Sequence, residues 1–397
     1  MFSSTTSRAA SGRHATLVSV AYSILGVLPL FLVSSQAVQL QSELDFGKAG
    51  LGLAVSICFA VSAAAATPLG HVVGRIGAGA GLKLSAGFAL AGLVWMAAVA
   101  SQWWHVAFAL SLCGLANAAA QVSTNVVLAG GVPKERQGVA FGAKQAAIPV
   151  ASLAAGLALP VVALLAGWRT AFAGAAVVVV VALAFQPRLA AGGRAESTRR
   201  AGRPGALLMT TALAGMLAGA LGNALPAFAV DSAVENGFTE SAAGLLLATG
   251  SAAAVLVRVG AGWVADRRGS AGFSELLALT GAGAVALVCL ALSGDSHVLY
   301  VLATVAVFAA GWGWPGLIYY ATVRSHRSAP GAATGFVLSW VYVGNVLGPV
   351  SVGFVAEHRS YADAWALGAA VLALATLAAL AARRLERAGR VRVEAPA

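Results

Sequence analysis

The residues that most need explaining are a few polar and charged side chains set inside long apolar stretches. Lys144 stands in Gly142-Ala143-Lys144-Gln145-Ala146-Ala147-Ile148-Pro149. A lysine in the middle of a membrane helix costs a few kcal/mol, so its presence asks for a purpose. One reading is a cation facing a cavity and holding an anionic or strongly polar solute. The other is a lysine snorkelling to the interface, about 10 Å away at roughly 1.5 Å per residue. Gln145 and Pro149, which is expected to bend the helix, favour a stretch that lines a cavity. Asn117, Gln121 and Asn125 are spaced by four and share one helix face. They form either a hydrogen-bonding wall or interhelical glue, worth about 0.6 kcal/mol per pair. Similar candidates are Asn223 near Pro226, the pair Tyr319 and Tyr320, and Trp340, Tyr342 and Asn345. The run Gly311-Trp312-Gly313-Trp314-Pro315 predicts a helix break. Such a break offers carbonyls and an indole N–H to a cavity, or else packs aromatic rings on glycine faces. Gln36, Gln39 and Gln41 read as interfacial.

Absences narrow the chemistry. No carboxylate falls in the middle of an apolar run; Asp231, Glu235 and Glu240 are expected in a loop, and Glu275 at a helix end. None of the six histidines is in mid-run; His105 and His297 lie near run ends. A proton relay of the usual intramembrane kind is therefore not expected, unless the helix carrying Asp231 runs on past it. There is no phosphate-binding glycine loop, no metal-ligand spacing and no nucleophile–His–acid set. No enzyme, cofactor or metal is expected. Cys58, Cys113 and Cys289 each sit alone in apolar surroundings and read as packing residues.

The elements that carry these residues follow from composition. Hydrophobic residues make up 59% of the chain and charged residues only 10%, with mean hydropathy +0.84. That leaves too little polar surface for a soluble fold. The 47 glycines suit close helix approach in lipid. Twelve runs reach the roughly 20 residues a bilayer needs: 16–37, 49–69, 83–101, 105–129, 138–163, 168–186, 206–229, 241–264, 274–294, 297–322, 331–355 and 363–383. They lack period-two alternation, which excludes strands. The first run is too long for a signal-peptide core and reads as a retained helix.

The net charge of +11 would suggest nucleic acid in a soluble protein, but here the basic residues cluster at helix ends. With a cytoplasmic N-terminus, only Lys48, Arg169 and Arg359 among the Lys and Arg residues fall outside. That bias is the positive-inside rule, and miscounting by one helix would destroy it. Both termini are then cytoplasmic. The stretch 187–205, rich in arginine, divides the chain near its middle. The expected organisation is an N-terminal segment 1–15, a six-helix bundle 16–186, a linker 187–205, a second bundle 206–383 and a basic tail 384–397.

The halves echo one another. Gly70-His71-Val72-Val73-Gly74-Arg75-Ile76-Gly77 follows the second run, and Gly262-Trp263-Val264-Ala265-Asp266-Arg267-Arg268-Gly269 follows the eighth. Gly138 and Gly142 are matched by Gly331 and Gly335. On these residues the chain resembles the major facilitator superfamily, whose G-x-x-x-D-R-x-G loop recurs between the same pairs of spans. The second copy is complete, with Arg258 one turn ahead of Gly262. The first has Gly74 where the aspartate belongs. Gly167-Trp168-Arg169-Thr170-Ala171-Phe172 looks like the family's entry to span six.

The resemblance implies an all-α integral membrane protein of twelve helices in two bundles. It implies a conformational latch built from Arg258, Gly262, Asp266, Arg267 and Gly269 in the second half, with Gly70 and Arg75 in the first. Arg258 is expected to pair with Asp266 or with carbonyls at helix ends. The pattern around Lys144 looks like the cyanate-permease-like branch, whose members carry small polar or anionic compounds. The expected function is secondary active or facilitative transport of a small polar or anionic organic solute by alternating access in the plasma (cell inner) membrane. The alternative is an efflux pump for an amphiphilic drug or metabolite. The solute-binding candidates are Lys144, Gln145, Asn117, Gln121, Asn125, Asn223, Trp314, Tyr319, Tyr320, Trp340 and Asn345. Expected partners are the solute, the lipid bilayer and a coupling ion if transport is active. Nucleic acid is not expected, and the protein is expected to be a monomer.

Overall fold

The computed structural model describes residues 3–133, 137–186, 204–268, 270, 272–326 and 329–394. The side chains of 3–11, 137, 138, 266 and 389–394 lie outside that description. Among the described residues there is no strand. The helices are α1 (Ser3–Ser35), α2 (Ala37–Leu44), α3 (Lys48–Ile76), α4 (Ala78–Ala98), α5 (Trp103–Gly131), α6 (Gln137–Ala158), α7 (Leu164–Ala166) and α8 (Trp168–Ala184). They continue as α9 (Ala206–Glu235), α10 (Glu240–Arg267), α11 (Phe273–Ala291), α12 (His297–Ala306), α13 (Pro315–Ser325), α14 (Pro330–His358) and α15 (Tyr361–Glu394). Wider π-helical turns, Leu159–Ala163 and Val307–Gly311, join α6 to α7 and follow α12. Among the described residues, eleven helical segments are long and apolar enough to cross a membrane. The twelfth expected run is the 17-residue apolar helix Trp168–Ala184, about 25 Å long at 1.5 Å per residue.

Hydropathy locates these helices but does not end them. The apolar run of α9 stops at 229, yet the helix continues to Glu235. It stops where Gly237 takes φ +88° and Phe238 N–H reaches back to the Ala233 carbonyl at 3.1 Å. A residue with a Cβ avoids that backbone, so the glycine sets the end. Asp231 and Glu235, expected in a loop, are therefore helical, and Asp231 is buried. The repeated motif copies, expected as loops, are likewise the last turns of α3 and α10. The turn after α3 is the single residue Gly77, at φ +88°. Helix α15 runs on through its arginine-rich end to Glu394, since Arg, Leu and Ala are good helix formers in or out of lipid. Pro149 lies inside the unbroken α6; the irregular turn falls instead at Pro160. Gln36 is buried within the protein, at 1% exposure, where the chain turns directly from α1 into α2.

The described residues fall into two compact units. The first comprises Met1–Glu196 with Pro226–Ala252, the second Ser197–Leu225 with Ala253–Ala397. In the first unit small residues let backbones touch. Gly26 of α1 meets Ala120 and the Ala116 carbonyl of α5, and Gly114 of α5 lies on the Cys58 carbonyl of α3. The Ser85 hydroxyl of α4 donates to the Ala116 carbonyl at 2.8 Å. Cys58 and Cys113 are buried free thiols at these crossings. Two helix segments from the second half of the sequence also belong to this unit. A Cβ at Gly156 of α6 would lie 2.7 Å from the Gly244 carbonyl oxygen of α10, and one at Gly244 would lie 2.8 Å from that of Gly156. Beside this crossing the buried Ser251 and Ser152 hydroxyls are 2.9 Å apart.

In the second unit, α14 lays a glycine face on α9. Gly344 and Gly348 approach the Met216 and Ala220 carbonyls so closely that any Cβ would collide with backbone. A cavity of about 190 Å³ opens beside this contact. It is lined by apolar side chains of α9, α14 and α15, with Ser351 as its one hydroxyl.

Candidate functional site

In the first unit, α5 and α6 bring the sequence-chosen polar residues into one chain of contacts. The Lys144 side chain is only 4% exposed. Its Nζ donates to Asn125 Oδ1 at 2.5 Å and to the Gln121 carbonyl at 3.4 Å. Gln121 Nε2 lies 3.5 Å from Asn117 Oδ1, and Asn117 Nδ2 donates to Ser62 Oγ of α3 at 2.9 Å. The ladder thus runs from Ser62 through Asn117 and Gln121 to Lys144 and Asn125. Lys144 is turned inward onto α5 and does not reach out to water. Among the described residues of this unit it pairs with no carboxylate. Both acceptors are neutral, so the positive charge is hydrogen-bonded but not neutralised. Asn125 is exposed, while Gln121 and Gln145 are half-buried. Spacing on α5 showed which residues share a face; Ser62 was missed because its partner lies on another helix.

In the second unit the break after α12 creates the polar centre. The π-turn Val307–Gly311 and the turn through Trp312 leave the Trp312 carbonyl outside the regular helix ladder. Arg258 of α10 donates to that oxygen from both Nε and Nη2, at 3.1 and 2.9 Å. Its guanidinium also lies 5.0 Å from the centre of the Trp312 ring. Arg258 and Trp312 are both buried. Of the two partners expected for Arg258, a carbonyl at a helix end is one that it takes; the other, the Asp266 side chain, lies outside the described residues. Tyr319 lies within the electrostatic reach of Arg258 and of Tyr342. Trp314 is fully buried, and its indole N–H meets no acceptor among the described residues. The Trp314 ring lies against Gly222 of α9.

Asn223 and Asn345 also come together. With the Asn345 amide nitrogen donating to the Gly219 carbonyl at 3.0 Å, its oxygen accepts from Asn223 Nδ2 at 3.2 Å. Trp340 stands apart from this pair, its ring 6.2 Å from that of Phe336. Tyr320 lies midway along α13, under the Arg324 guanidinium and against Gly272.

The latch residues divide unevenly. Gly70 and Arg75 occupy the last turns of α3, and Gly262 and Arg267 those of α10. Arg267 lies over the Trp263 ring at 4.3 Å. The Asp266 side chain and Gly269 lie outside the described residues. The ion pair here is one that sequence reading missed: Arg268 with the buried Glu275 of α11, at 3.9 Å. The Ser270 hydroxyl also donates to Glu275, at 2.9 Å.

At the end of the first unit where α2 lies, Glu43 accepts from Trp168 Nε1 at 2.5 Å and from Arg169. These bonds hold its carboxyl below the usual carboxylate range, the Trp168 contact foremost. Lys48 pairs with Glu235 there, and Gln39 donates to Glu240 at 3.1 Å. The segment 226–252 is thus tied to α2 and α3 by an ion pair and a hydrogen bond, and to α6 by the glycine crossing.

Two related copies of the motif and, among the described residues, a fold of helices without strands point one way. The sequence profile of the Major Facilitator Superfamily matches residues 14–208 and again residues 207–396. The chain belongs to the Major Facilitator Superfamily. Superfamily membership makes it a multi-pass membrane transport protein rather than an enzyme. Among solved structures it is similar to a bacterial homolog of the human lysosomal transporter Spinster, crystallised in an inward-facing and occupied conformation. That likeness has a TM-score of 0.70 at 14% identity and covers 94% of this chain and 97% of that one. At such identity the likeness is one of fold. No curated protein matches the chain significantly.

Proposed function

We propose that this superfamily member moves a small, polar, anionic organic solute by alternating access, with Lys144 as the solute's counter-charge. The supporting observation is a buried ammonium held, among the described residues, by an amide oxygen and a backbone carbonyl. A buried charge without a partner is expensive, and proteins retain one where a ligand or a step of the mechanism supplies the opposite charge. The neighbouring amides of Asn117, Gln121 and Gln145 offer hydrogen bonds to the solute's neutral polar atoms. In the second half Trp314 offers an indole N–H, and Asn223 and Asn345 a paired amide. Tyr319, Tyr320 and Trp340 complete the candidate set.

Alternating access here means one sequence half, 16–186, rocking against the other, 206–383. Under this reading the contacts of segment 226–252 with α2, α3 and α6 are made in one state and broken in the other. The turns around Gly262, Arg267 and Glu275 serve the same purpose at the other end. The charge bias supports an orientation with both termini cytoplasmic. A second reading, export of an amphiphilic compound, draws on the apolar cavity beside α9, α14 and α15.

Counterflow in liposomes separates the two. Exchange of a labelled small carboxylate, unaffected by amphiphiles, supports the first reading. Exchange only of amphiphiles supports the second and overturns the first.

A further inference from the structure

We propose that Asn125 is a resident stand-in for the solute's acidic group, and that a carboxylate-bearing solute binds by displacing it from Lys144. This inference rests on the anionic reading above and narrows it to one chemical class and one exchange step.

The geometry carries it. An ammonium has three protons to donate. The Lys144 ammonium has two acceptors among the described residues, Asn125 Oδ1 at 2.5 Å and the Gln121 carbonyl at 3.4 Å. The Gln121 carbonyl is backbone and stays with α5. Asn125 is different: its side chain is exposed and makes its hydrogen bond through a rotatable amide. A primary amide has nearly the shape of a carboxylate, with a planar carbon and an oxygen acceptor. Asn125 therefore presents the ammonium with the shape of an anionic solute but without its charge.

That difference sets the direction of exchange. The ammonium's bond to the Asn125 amide is already charge-assisted, but a carboxylate adds to it the attraction of opposite charges. A solute carboxylate gains by replacing the amide. A neutral hydroxyl or carbonyl gains nothing and must still pull the amide away. Asn125 thus keeps the empty site satisfied and rejects neutral solutes, so that discrimination comes from a competing contact as well as an attractive one. Aspartate at this position has the same shape but carries the charge, and would hold Lys144 permanently.

Thermal unfolding of the full-length protein, titrated with formate, acetate, oxalate and inorganic phosphate, tests the exchange. At least one carboxylate is expected to stabilise the natural protein. Asn125→Ala removes the competitor and should lower the half-saturating concentration about threefold or more. Asn125→Asp, which keeps the shape, should raise it by about tenfold or more. Variants that both shift in the same direction, or that leave the concentration unchanged, overturn the exchange while the anionic reading stands. Stabilisation by phosphate alone overturns the assignment to carboxylates. A natural protein that no anion stabilises overturns the anionic reading, and this proposal with it.

Discussion

Arg258 holds the carbonyl of Trp312 with two hydrogen bonds, at 3.1 and 2.9 Å, across the gap between α10 and the broken helix that follows α12. The arginine lies one turn from Gly262, where the motif begins. The carbonyl faces Arg258 where the π-turn at Val307–Gly311 interrupts the regular helix. One side chain therefore ties the motif-bearing helix to the segment that carries Trp314.

Removing that tie should be costly. Arg258→Ala removes two hydrogen bonds from a buried carbonyl, and hydrogen bonds from charged groups contribute about 1.5–3 kcal/mol. Purified Arg258→Ala should unfold several degrees below the natural protein. Arg258→Lys, which keeps a donor but loses the forked geometry, should fall between the two. An unchanged unfolding temperature for the alanine variant would show that the contact bears no load.

The crossing of α6 and α10 gives a second expectation. Ser152 and Ser251 hydroxyls are 2.9 Å apart and wholly buried, beside the point where Gly156 and Gly244 bring backbones together. Cysteines at both positions, Ser152→Cys with Ser251→Cys, should form a disulfide under mild oxidation. If segment 226–252 must part from α6 in each cycle, the oxidised protein should lose transport and regain it on reduction. Full transport by the cross-linked protein would mean that this crossing stays closed throughout.

Glu43 yields a pH dependence whose sign is fixed. Its carboxyl is held below the usual range, first by Trp168 and then by Arg169. A depressed carboxylate contributes stability above its unfolded pKa and loses that contribution as the pH falls through the folded value. The contacts should thus be unaffected between pH 8 and about pH 5 and weaken only in stronger acid. Glu43 and Arg169 are 45% and 42% exposed, so the pair is worth no more than about 1 kcal/mol. Unfolding of Glu43→Gln against the natural protein, followed from pH 8 downwards, should show a small gap that closes only below about pH 5. A gap that closes between pH 6 and 7 would assign the titration to another group.

Sequence patterning located the helices well, because lipid demands long apolar runs and leaves no other solution for the backbone. It placed their ends poorly at Asp231, Glu235 and the two motif copies. Hydropathy reports where lipid stops, whereas a helix stops where a residue such as Gly77 or Gly237 accepts positive φ. The face of Asn117, Gln121 and Asn125 was legible because fourfold spacing is a property of one helix. Ser62 on Asn117, Trp312 on Arg258 and Arg268 on Glu275 were not, because each pairing is set by packing between helices or by a local turn. The break before Pro315 was visible as a cluster of glycine, tryptophan and proline. Which side chain would meet the carbonyl of Trp312 there was not.

The role given to Lys144 meets its hardest test in transport itself. Liposomes containing the Lys144→Ala protein, matched to the natural protein for insertion and unfolding temperature, should show at least tenfold slower counterflow of the carboxylate that the natural protein exchanges. Counterflow at the natural rate would contradict the assignment of Lys144 as the solute's counter-charge.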